Sequence, residues 1–381
     1  MHPDRAAALV VLWVAAVFLS VAPASAQDSV FVAEDGLNTG GIGAYSVSYG
    51  PGSASGSTIN SSLITTPAAG ATTEVQMTLA TDGLGDLFVG EWASGTTATV
   101  GEYSPSGAPI NSSLLTLADS SGAPQLAADA EGHLFVAVGN TVSEYTTGGT
   151  LLNSFTVGPG GQFAGALNVS ALALDSADDL YTAYTTGDPL QGRPYNGVIG
   201  KYTASGSALN TKLITTPNFI NGLAVGGGNV FVSLQDGPPD IFSTIDQYTT
   251  DGTEVMNGFI SNSGHMALDG QGYLLVGSYG DGTIAAYTTA GVLLNRTVVS
   301  GAGGAEDLVA FPTPEPSALA LLAVGAAAFF VRRYRCQPHL PKTDSPAVSP
   351  RGFSVAASDG QPEGPGQIFP MSPVRVFESI A

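Results

Sequence analysis

The chain has 381 residues, of which 31 are acidic and 11 are basic, and its formal net charge is −20. One cysteine excludes a disulfide framework and any zinc cluster that needs several cysteines. The negative charge argues against nucleic acid as a partner, because an acidic surface repels phosphates. Only 11% of the residues are charged and 50 are glycine, which favours an all-β protein with many short strands and turns.

The N-terminal segment, residues 1–26, has the layout of a secretory signal peptide. Arg5 precedes an apolar run from Ala6 to Leu19, and the small-residue triplet from Ala24 to Ala26 precedes polar Gln27. This pattern predicts export, with cleavage directed by Ala24 and Ala26. The alternative is a permanent membrane anchor, which the short apolar run and the Ala-x-Ala triplet make less favourable.

A second apolar segment, within residues 313–335, is bounded by two distinct signals. Pro314, Glu315 and Pro316 precede the charge-free run Ser317 to Val331, and arginines follow it at 332, 333 and 335. The run of 15 residues is shorter than the roughly 20 of an ordinary spanning helix, so snorkelling arginines or a thinned bilayer would have to compensate. We predict a membrane helix held at its end by Arg332, Arg333 and Arg335.

These three parts in this order resemble the PEP-CTERM sorting signal of exported bacterial proteins. The resemblance implies recognition by an exosortase-type membrane protease and transient or permanent anchoring in the inner membrane. A plain stop-transfer anchor is the alternative, although it would not need Pro314, Glu315 or Pro316.

The segment 336–381 departs from that pattern, since 46 residues follow the arginines. Its prolines are spread among Gly and Ser without a helical or strand period, which predicts disorder. Either an appended cytoplasmic tail or a misjudged reading frame would explain these additional residues.

Residues 27–312 contain six copies of one unit. One column of each copy is a tyrosine and another is an asparagine that follows it mostly eight residues later. The tyrosines are Tyr45, Tyr103, Tyr145, Tyr202, Tyr248 and Tyr287, and the asparagines are Asn60, Asn111, Asn153, Asn210, Asn257 and Asn295. A period of roughly 47 residues is typical of a propeller blade.

Each unit is predicted to form four short strands. Apolar segments such as Leu126 to Ala128 and Leu134 to Val136 precede the tyrosine, and the turn between them often pairs an Asp with a Gly, as in Asp129 and Gly132. The first unit lacks its opening strand, which the segment from Leu308 to Phe311 supplies. We therefore predict a six-bladed β-propeller whose ring is closed by the C-terminal strand. The turn pattern is similar to NHL-type and gluconolactonase-type propellers.

Several polar residues are predicted to meet at one mouth of the propeller channel. Glu34 and Glu91 follow equivalent strands of successive blades, while His265 and Asp307 precede inner strands. Together they could hold Ca²⁺ or act as an acid/base pair. The alternative is that they are solvated loop ends. No Gly-x-Ser-x-Gly elbow or Gly-Lys-Ser/Thr phosphate loop occurs.

The repeated columns themselves allow two interpretations. The tyrosines could stack on carbohydrate, but recurrence at one place in every blade favours packing. The asparagines are expected to make hydrogen bonds of turns or outer strands.

These patterns lead to one functional hypothesis and one alternative. The hypothesis is an exported, non-enzymatic binding module at the cell surface, in the extracellular matrix or anchored in the membrane, with a polysaccharide or protein as its partner. The alternative is a metal-dependent hydrolase or lactonase with its site at the channel mouth.

Overall fold

In four of the repeat units, an aspartate caps the hairpin turn between the first and second strands. In the computed structural model, Oδ1 of Asp82 accepts hydrogen bonds from the amides of Leu84 and Asp86 at 2.9 and 3.0 Å. The same two bonds recur in the equivalent turns, which begin at Asp129, Asp175 and Asp269. The glycine that completes three of these turns has a positive φ, at Gly85, Gly132 and Gly272. The predicted turn chemistry is confirmed.

Six four-stranded antiparallel sheets make up the fold of the residues that the structure describes. Those residues are 27–35, 41–65, 75–93, 97–118, 122–158, 168–188, 193–235, 243–261, 264–278, 282–302 and 304–312. No helix among them is long and apolar enough to cross a membrane. The all-β, six-bladed propeller predicted from the repeats is confirmed.

Each blade runs from an inner strand at the channel to an outer strand at the rim. The inner strands of blades 1 to 6 are β24 (Gly304–Pro312), β4 (Val75–Thr81), β8 (Gln125–Ala128), β12 (Val169–Leu174), β16 (Phe219–Gly226) and β20 (Met266–Leu268). The second strands are β1 (Gln27–Asp35), β5 (Leu87–Ala93), β9 (His133–Val138), β13 (Leu180–Asp188), β17 (Asn229–Gln235) and β21 (Tyr273–Gly277). The third strands are β2 (Gly41–Gly50), β6 (Ala98–Tyr103), β10 (Thr141–Thr146), β14 (Arg193–Tyr202), β18 (Ser243–Thr249) and β22 (Thr283–Thr288). The outer strands are β3 (Ser53–Thr65), β7 (Pro109–Leu117), β11 (Leu151–Thr156), β15 (Ala208–Thr216), β19 (Glu254–Ser261) and β23 (Leu293–Ser300).

The last strand closes the ring, as predicted. β24 pairs antiparallel with β1, and Val30 lies opposite Ala310 in that register. Blade 1 therefore combines the first three strands of the propeller with the last one. This arrangement gives the first blade a complete sheet.

The core lies between neighbouring blades, because successive side chains of each second strand point to opposite faces of the sheet. Phe31 of blade 1 packs against Leu87 and Val89 of blade 2. Val30 and Val32, its neighbours on β1, pack instead against Leu275 of blade 6. Equivalent residues face the next blade around the ring: Phe88, Phe135, Tyr181 and Phe231.

A second contact between blades lies near the rim. The turn between the third and outer strands holds a glycine with a positive φ, which approaches the outer strand of the preceding blade. A Cβ on Gly206 would lie 2.3 Å from Cγ of Phe155, and one on Gly252 would lie 2.5 Å from the carbonyl oxygen of Leu213. Glycine at these turns therefore allows the blades to pack closely.

The chain divides into two units, Met1–Ser317, which contains the propeller, and Ala318–Ala381. The predicted signal peptide, membrane helix and tail all lie outside the described residues.

Candidate functional site

The inner strands of all six blades surround a central cavity of about 270 Å³. Its wall is formed mainly by alanine, leucine, valine and methionine. Polar side chains lie where inner strands begin, so they gather at one mouth of the channel. The polar residues of this mouth are Gln125, Asn221, His265 and Asp307.

Two acidic residues of β24 bind the backbone of the neighbouring blade. Oε2 of Glu306 accepts a hydrogen bond from the amide of Met77 at 3.1 Å, and Oδ2 of Asp307 accepts one from Leu79 at 2.8 Å. Both amides belong to β4. The carboxylates of the closing strand therefore link blade 1 to blade 2 through hydrogen bonds.

His265 and Asp307 are brought together, as expected. Nδ1 of His265 lies 3.7 Å from Oδ1 of Asp307, which also accepts a hydrogen bond from the amide of Leu308 at 2.9 Å. Burial raises the pKa of Asp307, while His265 and the two bonded amides act in the opposite direction. The carboxylate is thus engaged by protein donors on both of its oxygens.

Glu34 lies within β1 and not, as the apolar pattern had predicted, just after that strand. The hydroxyl of Tyr45 donates to Oε1 of Glu34 at 2.6 Å, and burial raises the pKa of this carboxyl. A Cβ on Gly43 would lie 2.5 Å from Glu34 and 2.7 Å from the Tyr45 ring, so this glycine leaves room for the pair. Glu34 is therefore a partner of the tyrosine column.

Glu91 occupies the equivalent place in blade 2 and also lies within its strand, β5. Burial raises the pKa of Glu91, and burial followed by the charge of Glu91 raises the pKa of Tyr103. The Tyr103 ring covers Gly101, where a Cβ would approach it to 2.8 Å. The next residue, Trp92, has a buried indole N–H that finds no hydrogen-bond partner in the described part of the chain.

Amide side chains complete the mouth. Nδ2 of Asn221, in β16, donates to Oε1 of Gln235, in β17, at 2.8 Å. This bond fixes the Asn221 amide between the first two strands of blade 5. Asn221 was not predicted as a site residue, and the only signal for it in the sequence is a polar residue near the start of an apolar inner strand.

The four predicted metal ligands do not form one group in the described part of the chain. Among the described residues, one set of three possible metal ligands has its donor atoms within 4.8 Å of one another. This set is Asp129, Glu131 and Asp178. That set belongs to the hairpin turns at the other end of the channel. Ca²⁺ binding by Glu34, Glu91, His265 and Asp307 stays a prediction.

The tyrosine column packs within the blades. Tyr45, Tyr202 and Tyr248 are buried, and the Tyr202 hydroxyl accepts a hydrogen bond from the Gly158 amide at 2.8 Å. The asparagine column makes local hydrogen bonds, as expected. The asparagine Oδ1 accepts an amide two residues later at Asn60, Asn111, Asn210 and Asn295.

One comparison with known proteins concerns the segment after the propeller. Residues 312–335 match the PEP-CTERM protein-sorting motif. The chain therefore carries this motif, as predicted from Pro314, Glu315, Pro316 and the arginines. Such a signal implies export and association with a membrane or surface, and exosortase, a membrane protein, processes it.

Solved structures resemble the propeller in fold. A protein of unknown function from Bacteroides caccae is 13% identical, with a TM-score of 0.46, and covers 74% of this chain and 98% of its own. A gluconolactonase from Xanthomonas campestris is 17% identical, with a TM-score of 0.43, and the match covers 62% of this chain and 82% of the gluconolactonase. The Pan2 WD40 domain of Neurospora crassa is 12% identical, with a TM-score of 0.38, and the match covers 78% of this chain and 83% of the WD40 domain. At these identities the likeness concerns the fold alone. No curated protein matches the chain.

Proposed function

We propose that the chain is an exported binding module, delivered by its PEP-CTERM motif to the cell surface or extracellular matrix. The observation that carries this proposal is the position of the motif, whose match begins at Pro312, the last residue of the strand that closes the propeller. A complete propeller is thus joined directly to a sorting signal. An exosortase-type protease is the proposed processing partner.

The channel mouth is the proposed ligand site. Gln125 and Asn221 place neutral side-chain amides at the same mouth as His265, while most other side chains of the cavity wall are apolar. Recognition sites often combine apolar walls with a few fixed polar groups. The carboxylate of Asp307 accepts hydrogen bonds from backbone amides and so serves the contact between blades. Selection of the ligand is therefore left to the side-chain amides of Gln125 and Asn221.

Amide groups and an imidazole suit a neutral, hydroxyl-rich ligand, so we favour a matrix polysaccharide. The test is titration of the exported chain with neutral oligosaccharides, using Asn221→Ala and Gln125→Ala as mouth variants. Leu84→Ser is the matched control, because Leu84 is 81% exposed on a turn at the other end of the channel. We expect each mouth variant to weaken binding at least tenfold and the control to bind like the wild type.

Two results would contradict a binding module whose ligand site is this mouth. Equal affinity in the mouth variants and the control would place the ligand elsewhere. Turnover of a lactone or ester by the wild type, abolished by His265→Asn, would instead support the hydrolase alternative.

The export step has its own test. Replacing Pro314 and Glu315 by alanine should retain the chain in the membrane with its C-terminal segment uncut, while the propeller stays folded. Fractionation with intact-mass analysis reads out both features. Full-length protein in the cytoplasm of the wild-type strain would refute export.

A further inference from the structure

Two carboxylates from distant parts of the sequence meet where the ring closes. Asp28, in β1, is 2% exposed, and Asp269, just after β20, is 7% exposed. Nε2 of Gln271 donates to Oδ2 of Asp28 at 3.2 Å, which ties blade 1 to the hairpin turn of blade 6. The pair therefore spans the seam between the first and last blades.

Asp269 uses only one oxygen in its turn. Oδ1 accepts hydrogen bonds from the amides of Gln271 and Tyr273 at 2.9 and 2.7 Å, whereas Oδ2 is buried and has no hydrogen-bond partner among the described residues. The buried hydroxyl of Tyr49 lies beside this carboxylate, but the two groups do not meet the geometry of a hydrogen bond. A buried acceptor without a donor is destabilising, so the geometry leaves a place for one proton.

The described groups around the pair include no cationic side chain. Asp28 comes from β1, Asp269 from the turn, Tyr49 from β2 and Tyr273 from β21, and the two tyrosine rings stack with centroids 4.0 Å apart. Among the described residues, no ion pair joins a lysine, arginine or histidine to either carboxylate. Ionisation of both carboxyls therefore places two like charges in a buried seam.

We propose that Asp28 and Asp269 form a one-proton site that locks the propeller seam under mildly acidic conditions and loosens it at neutral pH. The protonated Asp28 carboxyl donates to the free oxygen of Asp269. This device is independent of the proposed ligand site, which lies at the other end of the channel.

The direction of the pH effect follows from the pKa of Asp28. Burial, followed by the charge of Asp269, raises this pKa from 3.8 to about 6. A carboxyl with a raised pKa in the folded state binds its proton more tightly there than in the unfolded chain. The stabilisation is complete below pH 3.8 and is lost as the pH rises to about 6.

The test compares melting temperatures of the full-length chain in detergent between pH 4.5 and 8. The uncleaved chain is used because cleavage before Gln27 would create an α-ammonium group next to Asp28, whereas in the uncleaved chain this nitrogen is a peptide amide. We expect Asp28→Asn to melt higher than the wild type at pH 7.5 and to lack its decline between pH 5 and 7. Asp269→Asn keeps Oδ1 for the turn and offers an N–H to Asp28, so it should also melt higher at pH 7.5.

Asp82→Asn is the matched control, because Asp82 makes the same turn in blade 2 and should keep the wild-type pH profile. The ¹³C signal of the Asp28 carboxyl in the wild type should titrate near pH 6. Parallel pH profiles of the wild type and Asp28→Asn would overturn the proposal. It would also fail if millimolar Ca²⁺ stabilised the wild type at pH 7.5 but not Asp28→Asn, since the free oxygen would then be a cation ligand.

Discussion

Replacing Gly206 by alanine should destabilise the propeller by disturbing the contact between blades 3 and 4. Gly206 has a φ of +85°, and a Cβ there would lie 2.3 Å from Cγ of Phe155. The left-handed backbone alone costs alanine about 1–2 kcal/mol, partly offset by about 0.4–1 kcal/mol from the stiffer unfolded chain. Displacing the Phe155 ring adds about 1–3 kcal/mol of overpacking. We expect a total loss of about 2–4 kcal/mol in the free energy of unfolding.

Gly272→Ala is the matched control for this substitution. Gly272 has a φ of +83°, but a Cβ there would have no described atom within 4 Å. The control should therefore lose only about 1 kcal/mol, from the backbone conformation. Urea unfolding followed by circular dichroism measures both variants.

The difference between the two variants isolates the contact between blades. A loss for Gly206→Ala no larger than that for Gly272→Ala would refute the reasoning. A double-mutant cycle with Phe155→Leu adds a second check, since the smaller side chain should recover part of the loss in Gly206→Ala.

Three further predictions concern single blades. Asp178 has a φ of +59° in a turn where other blades use glycine, so Asp178→Gly should raise the free energy of unfolding by about 0.5–1 kcal/mol, and a lower melting temperature would contradict this. Tyr45→Phe should cost about 1–2 kcal/mol at pH 8 and less at pH 4, because the lost hydrogen bond favours the ionised form of Glu34; thermal melts showing no such pH dependence would count against it. Burial alone would raise the pKa of Asp175, but hydrogen bonds from two backbone amides and the contact with Lys201 lower it below 3.8. The ionised Asp175 therefore stabilises the folded state above pH 3.8, and this contribution is lost as the pH falls further. Lys201→Met should therefore be more destabilising at pH 7 than at pH 2.5 in chemical unfolding, and equal losses at both values would exclude the ion pair as the cause.

The repeat architecture could be predicted from the sequence because its determinants are local. An aspartate that caps its own turn, such as Asp129, uses atoms within five residues and leaves the same signature in four of the six copies. The missing first strand and the surplus last one then required a closed ring, which the pairing of β1 with β24 confirms. Apolar second strands gave the core positions, as at Phe31 and Phe135.

The environment of the polar residues could not be predicted in the same way. The hydrophobic pattern ends before the strands do, so Glu34, Glu91 and Asp307 were expected beside strands but lie within them. Their roles depend on partners across a strand or a blade, such as Tyr45 for Glu34. A single sequence carries no signal for such a contact.

The glycine contacts between blades were missed although the sequence contains their signal. A glycine follows the repeated tyrosine by four residues in blades 2 to 6, as in Tyr202 and Gly206. Its meaning depends on the neighbouring blade, because the contacted Phe155 belongs to another unit. The pair Asp28 and Asp269 was missed for the same reason, since ring closure alone brings these residues together.

The central claim is that this propeller is exported and processed through its PEP-CTERM motif, residues 312–335. Intact-mass analysis of the chain from fractionated cells, with and without the exosortase, tests it most directly. We expect a chain outside the cytoplasm that begins near Gln27 and lacks the segment after the motif, and an uncut C-terminus in the membrane when the exosortase is deleted. An uncut, full-length chain in the cytoplasm of both strains would contradict the claim.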